Sequence, residues 1–521
     1  MSSTNDPLAL LRRSVYAVLI AASLGMILGR ILAVDSVDRQ ALTRQRLAQI
    51  PAELARQRQA LERQGLSGKA LEAELERRED VLYQRAWLQR PFLSANDRSR
   101  WATVRALVEP EMRVPGAPYA IDKVIVQRNW DTIDMVKHDG HLYSSKPPLL
   151  ATLVAGEYWL IYRVTGLVWG KPLTLGTHPY SVGRTILITF NLIPLWIYLV
   201  LLARLVERFG ISVWGRVFVM GAASFGTFLS TFAVVLNNHV PAAVCALIAL
   251  YAVVRIWFDG RRGVGYFFLA GLFAALAAAC ELPALILLAL LGLVMFFQAP
   301  VRTLVGFLPG VALVAAGFFG TNWIAHHSLR PPYMHRSQTD PEDNWYSYTY
   351  EINGRVLKSY WDNPQGLDRG ESDVGKYAFH VLVGHHGIFS LTPVWLLSML
   401  GILFWIFAPR ERGQRWLALV VLVATAVCLA FYLIGDRLGM GRVDRNYSGM
   451  SCGFRWMFWF APLWLVTMLP ATDGLSRWKV WRGLALLLLV ASVLSASYPT
   501  WNPWTHPWLL NFLHYLRVIQ V

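Results

Sequence analysis

Apolar residues in this chain come in long blocks rather than in alternation. The blocks lie at about 15–34, 146–168, 182–204, 213–235, 239–257, 264–280, 282–298, 303–325, 387–408, 415–434, 454–470 and 480–497. Each is roughly 17 to 25 residues, enough for a helix to cross about 30 Å of hydrocarbon. In lipid such segments must satisfy their own backbone hydrogen bonds, which predicts helices. Short alternating segments of the membrane-barrel type are missing. The first block, Val15 to Val34, follows Arg12 and Arg13, is longer than a signal-peptide core and does not end in an A-x-A-like site. It reads as a retained first helix.

Two blocks need further argument. The stretch from Tyr266 to Gln298 is too long for one span, and Glu281-Leu-Pro283 divides it. Proline disfavours a helical residue before it, and a carboxylate at the bilayer centre would cost about 2.5–3.5 kcal/mol. Short loops rich in lysine and arginine mark one face as cytoplasmic. They carry Arg204, Arg208 and Arg216; Arg255, Arg261 and Arg262; Arg410, Arg412 and Arg415; and Arg477, Lys479 and Arg482. Counting crossings between these loops leaves one block that does not cross. The 146–168 block opens with Lys-Pro-Pro and carries Glu157 and Arg163, so it is expected to lie in the outer interface.

The expectation is an all-α polytopic membrane protein with about 11 spans (roughly 10–13) and two large outer-face loops. Residues 1–34 form the N-terminal tail, which is cytoplasmic, and the first span. Residues 35–90 are an insertion: apolar positions at three- and four-residue spacing around Gly65-Leu-Ser-Gly68 predict a solvated helical hairpin. Residues 91–181 are the first outer loop with the interfacial helix, 182–325 a six-helix block, 326–386 the second outer loop, 387–497 a four-helix block, and 498–521 an outer tail.

Composition agrees. Of 521 residues, 55% are hydrophobic and 16% charged, against about 25% charged in soluble chains. The net charge of +16 resides largely in short loops, as membrane topology requires, so the bilayer rather than nucleic acid is the expected partner. Cys245, Cys280 and Cys428 lie in or beside apolar blocks and Cys452 near a polar loop; no disulfide framework or CxxC metal site is indicated.

The residues that can carry chemistry fall on the outer face. Ser94-Ala-Asn-Asp97-Arg-Ser-Arg100-Trp101 precedes a helix-like run, and Asp139-Gly-His-Leu-Tyr143-Ser-Ser-Lys146-Pro-Pro148 opens the interfacial helix. In these motifs the chain resembles membrane glycosyltransferases of the GT-C class. That class includes protein O-mannosyltransferases, the aminoarabinose transferases that modify lipid A, and bacterial relatives using polyprenyl-phosphate sugars. They often show D-E-x-R-Y in the first outer loop, then K-P-P-L, then an arginine starting the next span. Here the matching residues are Asp97, Arg100 and Trp101, then Lys146-Pro147-Pro148-Leu149, then Arg184. The order of spans and loops is similar too, outside the insertion. The second acid of the family pair is Arg98 here, which weakens any divalent-metal role of that pair; no cofactor is expected to be required, and metal dependence stays open.

The resemblance implies a hexosyl- or pentosyltransferase that moves a sugar from a polyprenyl-phosphate donor to a lipid, glycan or protein acceptor at the outer membrane face. Asp97 is the candidate general base; it also lies where Asp commonly caps a following helix. Lys146, Arg100 and Arg184 are candidate donor-phosphate ligands. Arg442, Arg445 and Arg455 bracket Asn446-Tyr-Ser-Gly449 and form a second candidate anion site. Further cavity candidates are Trp101, Tyr143, Asn238, His239 and Glu281. His239 opens a helix, where an anion is favoured, and Glu281 suits capping or pairing. His385 and His386 are adjacent and lack a third ligand at zinc spacing, so no metal is assigned. The competing class is a secondary transporter or lipid-linked glycan flippase, which would place broken helices and charges at the midplane in paired repeats.

Overall fold

The structure is a computed structural model that describes residues 7–37, 40–86, 90–337, 339–352, 354–439 and 443–519. It is mostly helical, and six helices are long and apolar enough to cross a membrane. They are Leu8–Leu32, Pro179–Phe209, His239–Trp257, Pro300–His326, Arg412–Ile434 and Lys479–Ser497. Three shorter apolar helices accompany them: Val264–Cys280, Leu282–Gln298 and Trp395–Phe407. The division at Glu281 stands, because Glu281 is the extended residue between two of these.

Three blocks differ from expectation. The 213–235 block is not one helix. Val213–Phe225 ends at Gly226, and a single turn at Leu229–Phe232 leads into irregular but buried chain. That backbone is satisfied from outside: Asn191 Nδ2 donates to the carbonyls of Ala233 and Val235 at 2.9 and 3.0 Å, as buried irregular chain requires. The 387–408 block is interrupted at Thr392-Pro393 between Ile388–Leu391 and Trp395–Phe407. The 454–470 block opens as a 3-10 turn, Arg455–Phe460, before the helix Ala461–Leu475.

The fold is also not purely helical. The segments 91–181 and 326–386 hold two antiparallel hairpins, Met135–His138 with His141–Ser144 and Thr349–Ile352 with Arg355–Lys358. The insertion forms two helices, Gln40–Arg63 and Gly68–Ala86, joined through Leu61, Leu71 and Leu75. The Lys-Pro-Pro segment opens the helix Pro148–Trp169, which packs on Ala95–Val108 and on Leu308–His326.

Gly401 shows how closely the helices approach. A Cβ there would meet the backbone oxygen of Thr467, so Trp395–Phe407 and Ala461–Leu475 cross with only a glycine between them.

Candidate functional site

The segment that follows the insertion reaches the helical core through Ala95–Val108. Ser94 caps this helix, its Oγ accepting from the Asp97 N–H at 3.0 Å. Asp97 therefore lies in the first turn, and its carboxylate serves another purpose. Oδ1 accepts from Leu236 N–H at 3.0 Å and Oδ2 from Leu93 N–H at 3.4 Å. Asp97 is 1% exposed. Burial pushes its carboxyl up to about 6, against the pull of the two backbone N–H groups and of Arg100. Trp101 is core, stacked on Phe92 at 4.7 Å.

The carboxylate that meets Lys146 is a different one. Asp139 and Gly140 adopt left-handed backbone, the requirement of a tight hairpin turn. The ladder then pairs Met135 with Ser144, so Asp134 faces Ser145 and Lys146. Lys146 Nζ lies 2.9 Å from Asp134 Oδ2. Asn96 Nδ2 donates to the same oxygen at 2.6 Å, and Ser145 Oγ donates to Oδ1. Burial alone would raise the Asp134 carboxyl, but the Lys146 ammonium and Ser145 hydroxyl hold it below its ordinary value.

From Asn96 the polar chain runs on to Arg100, whose guanidinium donates to the Asn96 carbonyl at 3.1 Å and to Asn238 Oδ1. Asn238 Nδ2 donates to Glu281 Oε1 at 2.7 Å and to the Cys280 carbonyl at 3.0 Å. His239 Nδ1 meets the same Glu281 oxygen. Arg455 donates to His239 Nε2 at 3.0 Å, so Nδ1 carries the proton and His239 donates to Glu281. Arg455 also donates to the Ser448 carbonyl at 2.8 Å and lies over Trp504 at 4.9 Å. Tyr447 and Ser448 beside it have positive φ, at 55 and 68°, strain of the kind held at functional sites. Burial pushes Glu281 up to about 8, opposed by Arg455 and Arg100.

The cations in this cluster are under-neutralised. Arg100 is 4% exposed. Its hydrogen bonds, like those of Arg455, go to amide or backbone oxygens or to the His239 ring. Among the described residues neither has a carboxylate at ion-pair distance. A buried charge without a partner is costly, and an anion would remove that cost. Two cavities flank the cluster. A hollow of about 320 Å³, counting its open mouth, is lined by Arg100, Lys146, Tyr119, Tyr143 and His326 among others. A groove of about 400 Å³, counted the same way, is walled by Phe228, Trp395, Phe454, Met457, Phe458 and Trp464. Phe458 also edges the His239 ring at 6.3 Å.

Of the residues singled out in the sequence, Lys146, Arg100, Asn238, His239, Glu281 and Arg455 come together, and Tyr143 borders them. Others do not. Arg184 donates to the Val34 carbonyl at 3.1 and 2.6 Å and ties down the end of the first helix. Arg445 is taken by Asp436 at 2.6 and 2.7 Å. His385 and His386 pair with each other, and His386 stacks on Tyr447 at 5.2 Å; burial first, then neighbouring imidazoles and Lys376, push His385 down to about 3. Arg442 lies outside the described residues. Asp134, Asn96 and His326 were missed. For Asp134 the signal was present: the Asp-Gly turn marks a hairpin, and folding the chain there brings residue 134 to residue 146. Among the described residues no group of three His, Cys, Asp or Glu side chains is placed to hold a metal ion.

No protein-family model matches the chain, and no curated protein matches it. Among solved structures it is similar to the Archaeoglobus fulgidus oligosaccharyltransferase. The complex with Zn and sulfate aligns at 14% identity and a TM-score of 0.37, over 82% of this chain and 55% of that one. The apo form gives 13% and 0.38, over 83% and 55%. The complex of that enzyme, AglB, with an inhibitory peptide and a dolichol-phosphate gives 13% and 0.37, over 83% and 55%. The chain thus spans about half the length of these structures. At that level of likeness neither donor nor acceptor carries over to it.

Proposed function

We propose that this chain is an integral membrane glycosyltransferase that moves a sugar from a polyprenyl-phosphate donor to an acceptor hydroxyl at the outer membrane face. The observation that carries the reading is the pair of guanidiniums, Arg100 and Arg455, that lack a carboxylate partner beside Lys146. Three cations, with Asp134 the one carboxylate at ion-pair distance from any of them among the described residues, suit a phosphate, whose charge grows as it leaves. The motif resemblance to GT-C enzymes supports the same class, and the aromatic groove beside Arg455 suits an apolar tail.

In this reading Lys146, Arg100 and Arg455 hold the donor phosphate. The acceptor oxygen attacks the anomeric carbon, the new C–O bond forming as the bond to the phosphate oxygen breaks. The electron pair leaves with the lipid phosphate, and the acceptor proton goes to a carboxylate. Asp134 fits that role better than Asp97, whose two oxygens are held by backbone N–H groups. When Lys146 turns to the phosphate, Asp134 loses the cation that depresses its pKa and gains basicity. Asp97 is then a positioning residue, fixing Leu236 two residues before Asn238.

The test is purified protein with polyprenyl-phosphate sugars, scoring free lipid phosphate. Release that needs Lys146 and Asp134 supports the reading. A wild-type protein that binds such lipids and moves them across liposome membranes without release returns it to the flippase class.

A further inference from the structure

Phosphate binding alone does not explain the hollow beside Lys146 and Arg100. His326, the last residue of Leu308–His326, lines that hollow, is 3% exposed, and its Nδ1 makes no well-aligned hydrogen bond among the described residues, with only a weak contact to the Asn322 backbone one turn earlier. A buried polar atom without a well-aligned partner requires an explanation. The ring cannot swing away to find one. Tyr143 packs edge-on against it at 4.8 Å and Trp345 lies tilted over it at 5.6 Å. Trp345 is itself clamped between His335 at 3.7 Å and His138 at 4.0 Å. His138 Nε2 also bonds the His326 carbonyl at 3.0 Å. The ring is thus held beside a hollow whose lining also includes Arg100, Lys146, Tyr119 and Tyr143.

We propose that His326 is a specificity-determining residue, hydrogen-bonding a hydroxyl of the donor sugar whose phosphate is held by Lys146 and Arg100. The inference rests on the transferase reading and extends it to the sugar. Tyr119 and Tyr143 supply apolar faces for the C–H side of a sugar ring. The imidazole supplies directional contact, the kind of group that discriminates between hydroxyl patterns most sharply.

The experiment is equilibrium binding to the full chain in nanodiscs. The probes are undecaprenyl phosphate without sugar, decaprenyl-phosphate arabinose and decaprenyl-phosphate glucose. The expected result is that wild-type protein binds one sugar lipid more tightly than the sugar-free lipid. His326→Phe, which keeps the ring packing, weakens that sugar lipid by about tenfold and leaves the sugar-free lipid unchanged. His326→Gln, which restores a hydrogen-bonding side chain, recovers part of the loss; if the Phe variant is not stably folded, the Gln variant shows the smaller loss by itself. Equal binding of sugar-bearing and sugar-free lipids by wild type overturns the inference. So do variants that match wild type on all three probes, or that weaken all three alike. Wild-type protein that binds none of the probes instead removes the transferase reading on which the inference stands.

Discussion

Two arginines buried to the same depth, at opposite ends of the helical core, are answered in different ways. At the end rich in arginine turns, Arg12, Arg208, Arg216 and Arg255 each have an acid at ion-pair distance. Arg12 is paired with Glu207 at 2.7 Å, with the Tyr16 hydroxyl on the same carboxylate. Arg208 bridges Glu411 at 3.0 Å and Asp259 at 3.2 Å. Asp473 accepts the N–H groups of Ile211 and Ser212 at 2.9 and 2.8 Å. At the other end Arg100 is as deeply buried as Arg12, yet it is answered by two asparagine oxygens and a backbone carbonyl. Paired charge fixes how helices meet. A buried charge with no acid at ion-pair distance is costly, and an anion from outside lowers that cost.

The strongest way to break this comparison is at the carboxylate among the cations. Asp134→Asn is expected to lower turnover by about 10²–10⁴-fold while leaving donor binding in place, because a general base acts only on the way to the transition state. Lys146→Ala is expected to weaken both. Glu411→Gln at the opposite end should leave turnover within about twofold, as a surface pair contributes little. Single-turnover release of lipid phosphate from the three variants is the measurement. Normal turnover by Asp134→Asn removes Asp134 from the chemistry and returns the role to Asp97.

The next effect is on stability, with different outcomes for two arginines. Arg12→Gln strands Glu207 with one hydrogen-bond partner fewer and should cost about 1–3 kcal/mol. Arg100→Gln removes a buried cation that has no acid, so the ligand-free protein should be no less stable and the donor should no longer bind. Thermal unfolding in detergent reads both. A large stability loss in Arg100→Gln would show that the network, not a ligand, is what the guanidinium serves.

Much of this was legible in the chain. The apolar run His239–Trp257 became one helix, and the acid and proline at 281–283 divide two apolar helices, since a carboxylate and a missing N–H both resist an unbroken apolar helix. The 213–235 block misled because hydropathy records burial, not hydrogen bonding. Its second half is just as apolar, yet Asn191 and Asp97 satisfy its backbone where a helix would have done so. Lys146 and Arg100 stood out by motif. Asp134 and His326 did not, since each gains meaning only from chain distant in sequence: Lys146 across a hairpin, and the walls of a hollow shared by three helices.

Proton binding sharpens the same contrast with a smaller effect. Burial raises Glu281 from an ordinary 4.5 to about 8. The folded state therefore holds this proton more tightly than the unfolded chain does. The resulting stability is complete below the unfolded value and is lost as pH rises through about 8. Asp97, raised to about 6, adds the same sign of dependence at lower pH. The melting temperature should fall between about pH 4.5 and pH 8, and Glu281→Gln should flatten the upper part of that slope. An unchanged slope in the variant would show that Glu281 stays ionised between Arg100 and Arg455, and that the cluster carries less excess positive charge than argued.

The smallest effect is expected from the most conspicuous feature outside the core. The helices Gln40–Arg63 and Gly68–Ala86 bury Leu61, Leu71 and Leu75 against each other, and their exposed ion pairs join neighbours on one helix, as Arg77 with Glu74 at 2.9 Å, or bridge the two, as Arg58 with Glu72 at 3.0 Å. Where the hairpin leaves the core, Val37 N–H donates to the Arg90 carbonyl at 3.3 Å. The two ends are thus already side by side, and a short linker can join them without moving either. Replacing residues 40–86 with a few glycines and serines shortens a loop, and loop length enters stability only logarithmically, about 0.6 kcal/mol per doubling. The shortened protein should elute as a single folded species after mild extraction and release lipid phosphate within about twofold of wild type, since surface insertions are tolerated when their ends are close. Loss of the folded species would mean that the hairpin braces the first loop. Folded but inactive protein would mean that the hairpin contacts the acceptor, and that the charged groups of the site extend beyond the cluster around Lys146.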